Sequence, residues 1–298
     1  MKTKRLMSAS GKETSKALLF ILPWIVGFLA FTLYPICSSL YYSFTEYKVL
    51  TPARWVGFAN YINLFKDPVY LKALTNTAYM VLIGIPLTTL VTLGVAFILN
   101  HKKLKYTSGF RVVFFVPTLV PTIICCLLWV WMMQPQSGII NRMLGYIGIQ
   151  GPNWLSSPLW VKPAFILMMV WTSGNTLILY LAGLQEIPVS LYESASIDGA
   201  NGIRQIFFIT IPLLRPTLLY NIVTSIIGVF QWFSEPYIIT GGGPNNETMF
   251  YSLYLYKNAF SYFKMGLASA MAWILLLISL GIVFILFKVL KFGQTDLY

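Results

Sequence analysis

The chain has 298 residues, of which 57% are hydrophobic and only 10% charged, with a mean hydropathy of +0.71. Soluble domains carry roughly a quarter charged residues, so this composition excludes a water-soluble globular protein and leaves room for several membrane spans but no large soluble domain beside them. The net charge of +12 does not point to nucleic acid, because the basic residues sit in short patches beside apolar runs, where they act as an orientation signal.

The N-terminal tail, residues 1–16, carries Lys2, Lys4, Arg5, Lys12 and Lys16. The apolar run behind it continues to about Tyr42, too long for the core of a cleaved signal peptide and without a small-residue cleavage site, so it reads as an uncleaved first span. A span needs about 20 apolar residues. Six segments qualify, at about residues 17–41, 73–99, 112–133, 163–185, 216–239 and 265–287. They predict an all-α membrane protein with one six-helix domain over residues 17–291 and a short tail, 292–298. The stretch Met143–Val161 is as long as a span but is broken by Gly145, Gly148, Gly151, Pro152, Asn153 and Pro158, so it reads as a loop with short interfacial pieces. Pro23, Pro35, Pro86, Pro117 and Pro121 lie inside spans, where neighbouring helices re-satisfy the freed backbone, and they are expected as tolerated bends.

Cys37, Cys125 and Cys126 fall inside apolar runs with no CxxC, which predicts packing roles, without disulfides or zinc. His101 is the only histidine and no carboxylate cluster exists, so neither a metal site nor an acid–base pair is expected, and no catalytic residue. No Walker sequence occurs, so the chain is expected to bind no ATP by that mechanism.

Of the 21 basic residues, 13 lie on one side of the six spans: the N-terminus, Lys102, Lys103, Lys105 and Arg111, then Arg204 and Arg215, then Lys288 and Lys291. The richer side is cytoplasmic, which places both termini and the polar loop at residues 187–215 inside. The outer loops carry Trp55, Tyr61, Phe65, Trp154, Trp160, Tyr254 and Tyr256, read as interfacial belt anchors.

The inner loop holds the stretch Tyr192–Pro216. Pro188 stops the helix before it, and Ser190 with Glu193 three positions on predicts a capping box and a short helix from about Leu191. Asp198-Gly199 ends that helix, with Gly199 suited to the left-handed conformation. Asn201 can cap a second helix, Gly202–Ile211, which Pro212 breaks. Leu191, Ala195 and Asp198 share a face at i, i+4 and i+7, so Ala195 leaves a shallow site between larger neighbours.

This stretch resembles the EAA loop of bacterial ABC importer membrane subunits, here as Glu193-Ser194-Ala195, Asp198-Gly199-Ala200, Pro212 and Pro216. Ser194 departs from the middle alanine, small for small. Thr240-Gly241-Gly242-Gly243-Pro244, just beyond the fifth span, resembles the TxGGP signature of the sugar-importer branch, which includes the maltose and glycerol-phosphate systems. The resemblance covers nearly the whole chain. It implies the type I ABC importer permease fold in a bacterial inner or only membrane. It also implies a homologous second permease, two cytoplasmic ATPase subunits that bind ATP and Mg, an extracellular solute-binding protein and a carbohydrate substrate. Carried over, Glu193 would pair with a basic residue of the ATPase, Ala195 would pack in its cleft, and Gly199 would make the turn, with Ser194, Asp198 and Ala200 completing the segment. A sugar site near the midplane would draw on Trp171, Asn175 and Thr176 of the fourth span and Ser225, Gly228, Val229, Gln231 and Trp232 of the fifth, residue types that offer aromatic faces and hydrogen-bonding edges. Glu235, about 28 Å from Pro216 at helical rise, reads as an outer gate or partner contact.

An ion-coupled secondary transporter or channel is the alternative class. Ion coupling usually leaves ionisable residues inside spans, and none stands at mid-depth here, which favours the importer subunit.

Overall fold

Backbone polar groups have no water to bond in a bilayer, so apolar runs that cross it become helices. The computed structural model describes residue 16, residues 19–101 and residues 107–289; most of both tails, with Lys102, Lys103, Lys105 and Lys291, lies outside the described residues. Four helices are each long and apolar enough to cross a membrane: Leu19–Ser43, Pro68–Leu99, Arg215–Ile239 and Met265–Lys288. Two bent pairs, each counted as one span, bring the number to six: Thr107–Leu119 with Thr122–Met132, bent by 103°, and Val161–Trp171 with Gly174–Glu186, bent by 51°. The stretch at 143–161 contains the end of a short helix, Ile139–Tyr146, followed by turns.

The prolines divide into two behaviours. Pro35 and Pro86 stay inside continuous helices, and each stands two residues beyond a π-turn, Leu29–Leu33 and Met80–Gly84. Pro212 repeats the arrangement behind Ile206–Thr210, and its helix runs on to Leu213 instead of breaking. A proline ring collides with the carbonyl four residues back; widening that turn moves the carbonyl aside and lets the helix continue. Pro117 and Pro121 act differently from the tolerated bends expected of them. Between them Val120 is extended, at φ −74 and ψ 126, as a residue before proline prefers, and the third span folds back at that point.

The fourth span bends without a proline. At the bend the Thr172 hydroxyl donates to the Met168 carbonyl at 3.0 Å and the Ser173 hydroxyl to the Val170 carbonyl at 2.7 Å, while Thr92 donates to Ser173 at 2.9 Å. The same two carbonyls also accept the backbone N–H groups of Thr172 at 3.0 Å and Ser173 at 3.2 Å, so the hydroxyls add second donors to the last turn before the bend. Gly174, the next residue, lets the third span come close: a Cβ there would stand 2.4 Å from the Phe114 carbonyl oxygen.

The described residues form two compact units, one of residues up to Leu64 with Asn258–Ile274, the other of Phe65–Lys257 with the residues from Leu275 on. In the first unit an antiparallel hairpin pairs β1 (Thr45–Lys48) with β2 (Thr51–Trp55). The Asn60 amide donates to the carbonyls of Ser43 and Thr45, both at 2.8 Å. Rings gather round Phe44, with Trp55 stacked at 5.7 Å and Phe58 edge-on at 5.2 Å. Apolar clusters form the interior of the second unit. One surrounds Leu93, Leu177, Tyr180, Leu184 and Leu214, another Met80, Phe165, Val229, Phe230 and Phe250, and a third Cys125, Trp129 and Met168. Cys125 and Cys126 are buried, whereas Cys37 is exposed.

Candidate functional site

Two features of the second unit gather the polar residues of an otherwise apolar chain. The first is the segment after the fourth span. Ile187 is extended before Pro188, and a helix runs over Val189–Ile197 with Pro188 as its N-cap and no side-chain cap. The Ser190–Glu193 box therefore does not form. The helix starts about two residues early, which puts Ser190 inside the first turn instead of at the cap position. The other end closes as the residues dictate. Gly199 takes φ +76, its N–H donates to the Ser196 carbonyl at 3.1 Å, and the Ala200 N–H reaches the Ala195 carbonyl at 2.8 Å. This pair of bonds satisfies two carbonyls that a bare helix end leaves open.

Asn201 caps the next helix, accepting from the Arg204 N–H at 2.9 Å. Gln205 then ties the two helices together, its amide donating to the Ser196 hydroxyl at 2.9 Å and the Ala200 carbonyl at 3.3 Å. Tyr192 and Thr210 share a hydroxyl bond of 2.9 Å. Glu193, Ser194, Asp198 and Gly199 are exposed, while Ala195 and Ala200 are half-buried. The outer side is apolar as well as charged, with Ile197 87% and Phe208 80% exposed. The inner side is anchored: Tyr192, Ile209 and Leu213 pack on the cluster of Leu93, Leu177, Leu184 and Leu214. Gly183 permits the approach, since a Cβ there would lie 2.8 Å from Leu214 Cδ2.

The second feature is a cavity of about 250 Å³ where the fourth and fifth spans lose their regularity. Arg215–Phe230 is helical, the backbone leaves the helix at Gln231–Phe233, and Ser234–Ile239 resumes it. Thr176, Ser225, Gly228, Val229 and Trp232 line the cavity, joined by Thr88, Cys125, Met168, Met169, Thr172, Ser173 and Glu235. Trp171, Asn175 and Gln231 do not. Trp171 lies edge-on to Trp129 at 5.6 Å, and Asn175 and Gln231 are exposed. Met168, Thr172 and Thr176 line the cavity at i, i+4 and i+8, a face kept across the bend, and Trp171 and Asn175, each one residue earlier in its turn, stand off that face. Glu235 lines the cavity from the first turn of the short helix that starts after the break at Gln231–Phe233. The Thr88 hydroxyl in the wall is buried and has no protein partner. Trp232 is held against Phe250, stacked at 5.4 Å, and edge-on to Phe165 at 5.3 Å.

Beyond the fifth span, Thr240–Pro244 folds into a tight loop. Thr240 and Thr248 share a hydroxyl bond of 2.6 Å, and Thr248 donates to the Gly243 carbonyl at 2.7 Å. Gly241 and Gly242 have φ +58 and +99, and a Cβ on Gly242 would stand 2.5 Å from Met249 Cε. Asn76 holds the loop by donating to the carbonyls of Asn246 at 2.7 Å and Met249 at 3.1 Å. Glu247 is clamped between Lys72 and Lys162, each at 2.6 Å. Burial pushes the Glu247 carboxyl up, but the two lysines together outweigh it and hold it below the usual carboxylate range. This clamp was not legible in advance: Lys72 and Lys162 counted only as orientation charges, and nothing local in the sequence pairs them with Glu247. Among the described residues no group of three or more His, Cys, Asp or Glu side chains is placed to hold a metal.

The chain is similar to known proteins over most of its length. Residues 84–291 match the family model for "Binding-protein-dependent transport system inner membrane component". The chain is 40% identical over 281 residues to the probable ABC transporter permease protein YesP of Bacillus subtilis, covering 93% of this chain and 91% of that one. It is 36% identical to the lactose transport system permease protein LacF of Rhizobium radiobacter, covering 82% and 83%. Among solved structures it resembles a chain of a bacterial alginate ABC transporter in complex with an alginate pentasaccharide-bound periplasmic protein, with a TM-score of 0.78, 26% identity, and coverage of 92% and 93%.

Proposed function

This chain belongs to the family of binding-protein-dependent transport system inner membrane components, and from that premise we propose that it forms half of the translocation pathway of a saccharide importer and is moved by separate ATPase subunits through the segment Val189–Leu213. That segment carries the reading. It is closed at Gly199, capped at Asn201 and tied by Gln205, with an exposed outer face and an inner face packed on the cluster formed by the second, fourth and fifth spans. A short rigid body of this kind transmits a push to the spans; a flexible loop would absorb it. In this arrangement the segment and both termini face the cytoplasm. Glu193 pairs with a cation of the ATPase, Ala195 and the exposed Ile197 enter its cleft, and ATP and Mg stay on that partner. A homologous permease supplies the other half of the pathway, and a solute-binding protein delivers the substrate on the far side.

The saccharide reading is supported by the lactose and alginate transporters among its relatives and by the cavity, where Trp232 offers a ring and Thr88, Thr176 and Ser225 offer hydroxyls. At about 250 Å³ it falls just short of the roughly 300–1,000 Å³ of small-molecule pockets, which suits about one sugar unit with the remainder held by the second permease. The test is to screen the cognate binding protein against saccharides by thermal shift and to measure uptake of the best ligand by the reconstituted transporter. Uptake of a saccharide is expected. A binding protein stabilised by amino acids or metal ions and by no saccharide would overturn the substrate assignment.

A further inference from the structure

The charge in the cavity goes beyond a general affinity for sugars. Its wall presents hydroxyls from Thr88, Ser173, Thr176 and Ser225, the indole of Trp232 and one carboxyl, that of Glu235, and no lysine, arginine or histidine lines it. The three ion pairs among the described residues lie elsewhere, at Lys48–Glu46, Lys72–Glu247 and Lys162–Glu247. A half-buried carboxylate with no cation beside it accepts hydrogen bonds from hydroxyl or ammonium groups. It repels a second anion more strongly there than it would in bulk water. The unpartnered Thr88 hydroxyl adds a group able to meet a sugar hydroxyl in the same space.

We propose that Glu235 sets the charge selectivity of this cavity, admitting saccharides whose units are neutral or carry an amine and refusing those that carry carboxylate, sulfonate or phosphate. The inference rests on the saccharide reading above and deepens it. Trp232, fixed against Phe250 and Phe165, meets the C–H face of a ring, and Glu235, three residues on, meets its edge. Glu235 is a specificity residue in this scheme, and the pathway stays open without it.

The experiment measures equilibrium binding of three tritiated trisaccharides to the assembled transporter in nanodiscs: maltotriose, the glucosamine trimer and trigalacturonate. The wild type binds the first two at least about tenfold more tightly than the third. E235Q raises affinity for trigalacturonate by about a hundredfold, the factor set by two like charges about 6 Å apart at an effective dielectric of about 20. It weakens maltotriose by about tenfold, the difference between a charge-assisted hydrogen bond and the neutral one that the amide can still make. E235D keeps the wild-type ranking. Equal wild-type affinity for the three probes overturns the proposal without reference to any variant, as does a folded E235Q whose ranking is unchanged. Failure to bind any of the three overturns the saccharide reading, and this inference falls with it.

Discussion

Replacing Gly199 separates a backbone requirement from a contact requirement at the segment that is proposed to carry force. Gly199 holds φ +76, and the space a Cβ would occupy is open, so a substitution there clashes with nothing and its cost is the left-handed backbone alone. That cost is about 1–2 kcal/mol for an ordinary L-residue, more for a β-branched one, and small for asparagine. About 1–2 kcal/mol corresponds to roughly a 5–30-fold shift from the closed end, with its Gly199–Ser196 and Ala200–Ala195 bonds, toward a frayed one. Hydrogen exchange at the Gly199 and Ala200 amides of the assembled transporter reads that shift. Gly199→Ala should lose about 5–30-fold in protection, Gly199→Val more, and Gly199→Asn little, with ATP-driven uptake falling in the same order while membrane insertion stays intact. If Gly199→Asn lost as much protection and uptake as Gly199→Val, the effect would come from side-chain bulk against a partner, and the backbone argument would be refuted.

Further outcomes follow from the same geometry. Glu193→Lys should abolish ATP-driven uptake with insertion unchanged, read by transport beside membrane fractionation. In a Cys37→Ser background, cysteine at exposed Ser194 should crosslink to the ATPase, while cysteine at Ser252, bonded to the Phe230 carbonyl, should not. Gly174→Leu, driven into the Phe114 carbonyl, should cost at least about 1–3 kcal/mol and lower the melting temperature in detergent. Glu247→Gln removes the negative charge and one of the two oxygens that bind Lys72 and Lys162 and should cost about 2 kcal/mol at neutral pH. Because the folded carboxyl sits below its ordinary value of 4.5, its stabilisation is present above that pH and lost as pH falls through the depressed value. The melting points of wild type and Glu247→Gln should therefore converge below about pH 4.5.

Much of the architecture was written in local chemistry. Six apolar runs, the left-handed Gly199 and the Asn201 cap all follow from residue types at short spacing. What escaped depends on partners distant in sequence. Whether a proline bends or breaks a span is decided by what satisfies the freed carbonyls, so Pro86 and Pro121 look alike in the sequence and differ in the fold. The fourth span bends where Thr172 and Ser173 supply hydroxyls and where Gly174 must clear a carbonyl of another span, a need invisible along the chain. Asn175 and Thr176 are neighbours on one helix and point about 100° apart, so only Thr176 faces the cavity, while Glu235 joins the wall just past the break at Gln231–Phe233. The second span begins earlier than hydropathy alone indicates because Asp67 caps it, accepting from the Val69 N–H at 2.9 Å, while Lys72 interrupts the apolar run. The β1–β2 hairpin went unread because Asn60 and the rings around Phe44 support it from outside the two strands.

The central claim is that this chain moves substrate only when separate ATPase subunits push on Val189–Leu213. Proteoliposomes holding the complete transporter, with its binding protein and labelled saccharide outside, test it directly. The account predicts uptake when ATP is enclosed and none when ATP or the ATPase subunits are left out. Uptake that persisted without the ATPase, driven by an ion gradient, would contradict it and identify a secondary transporter.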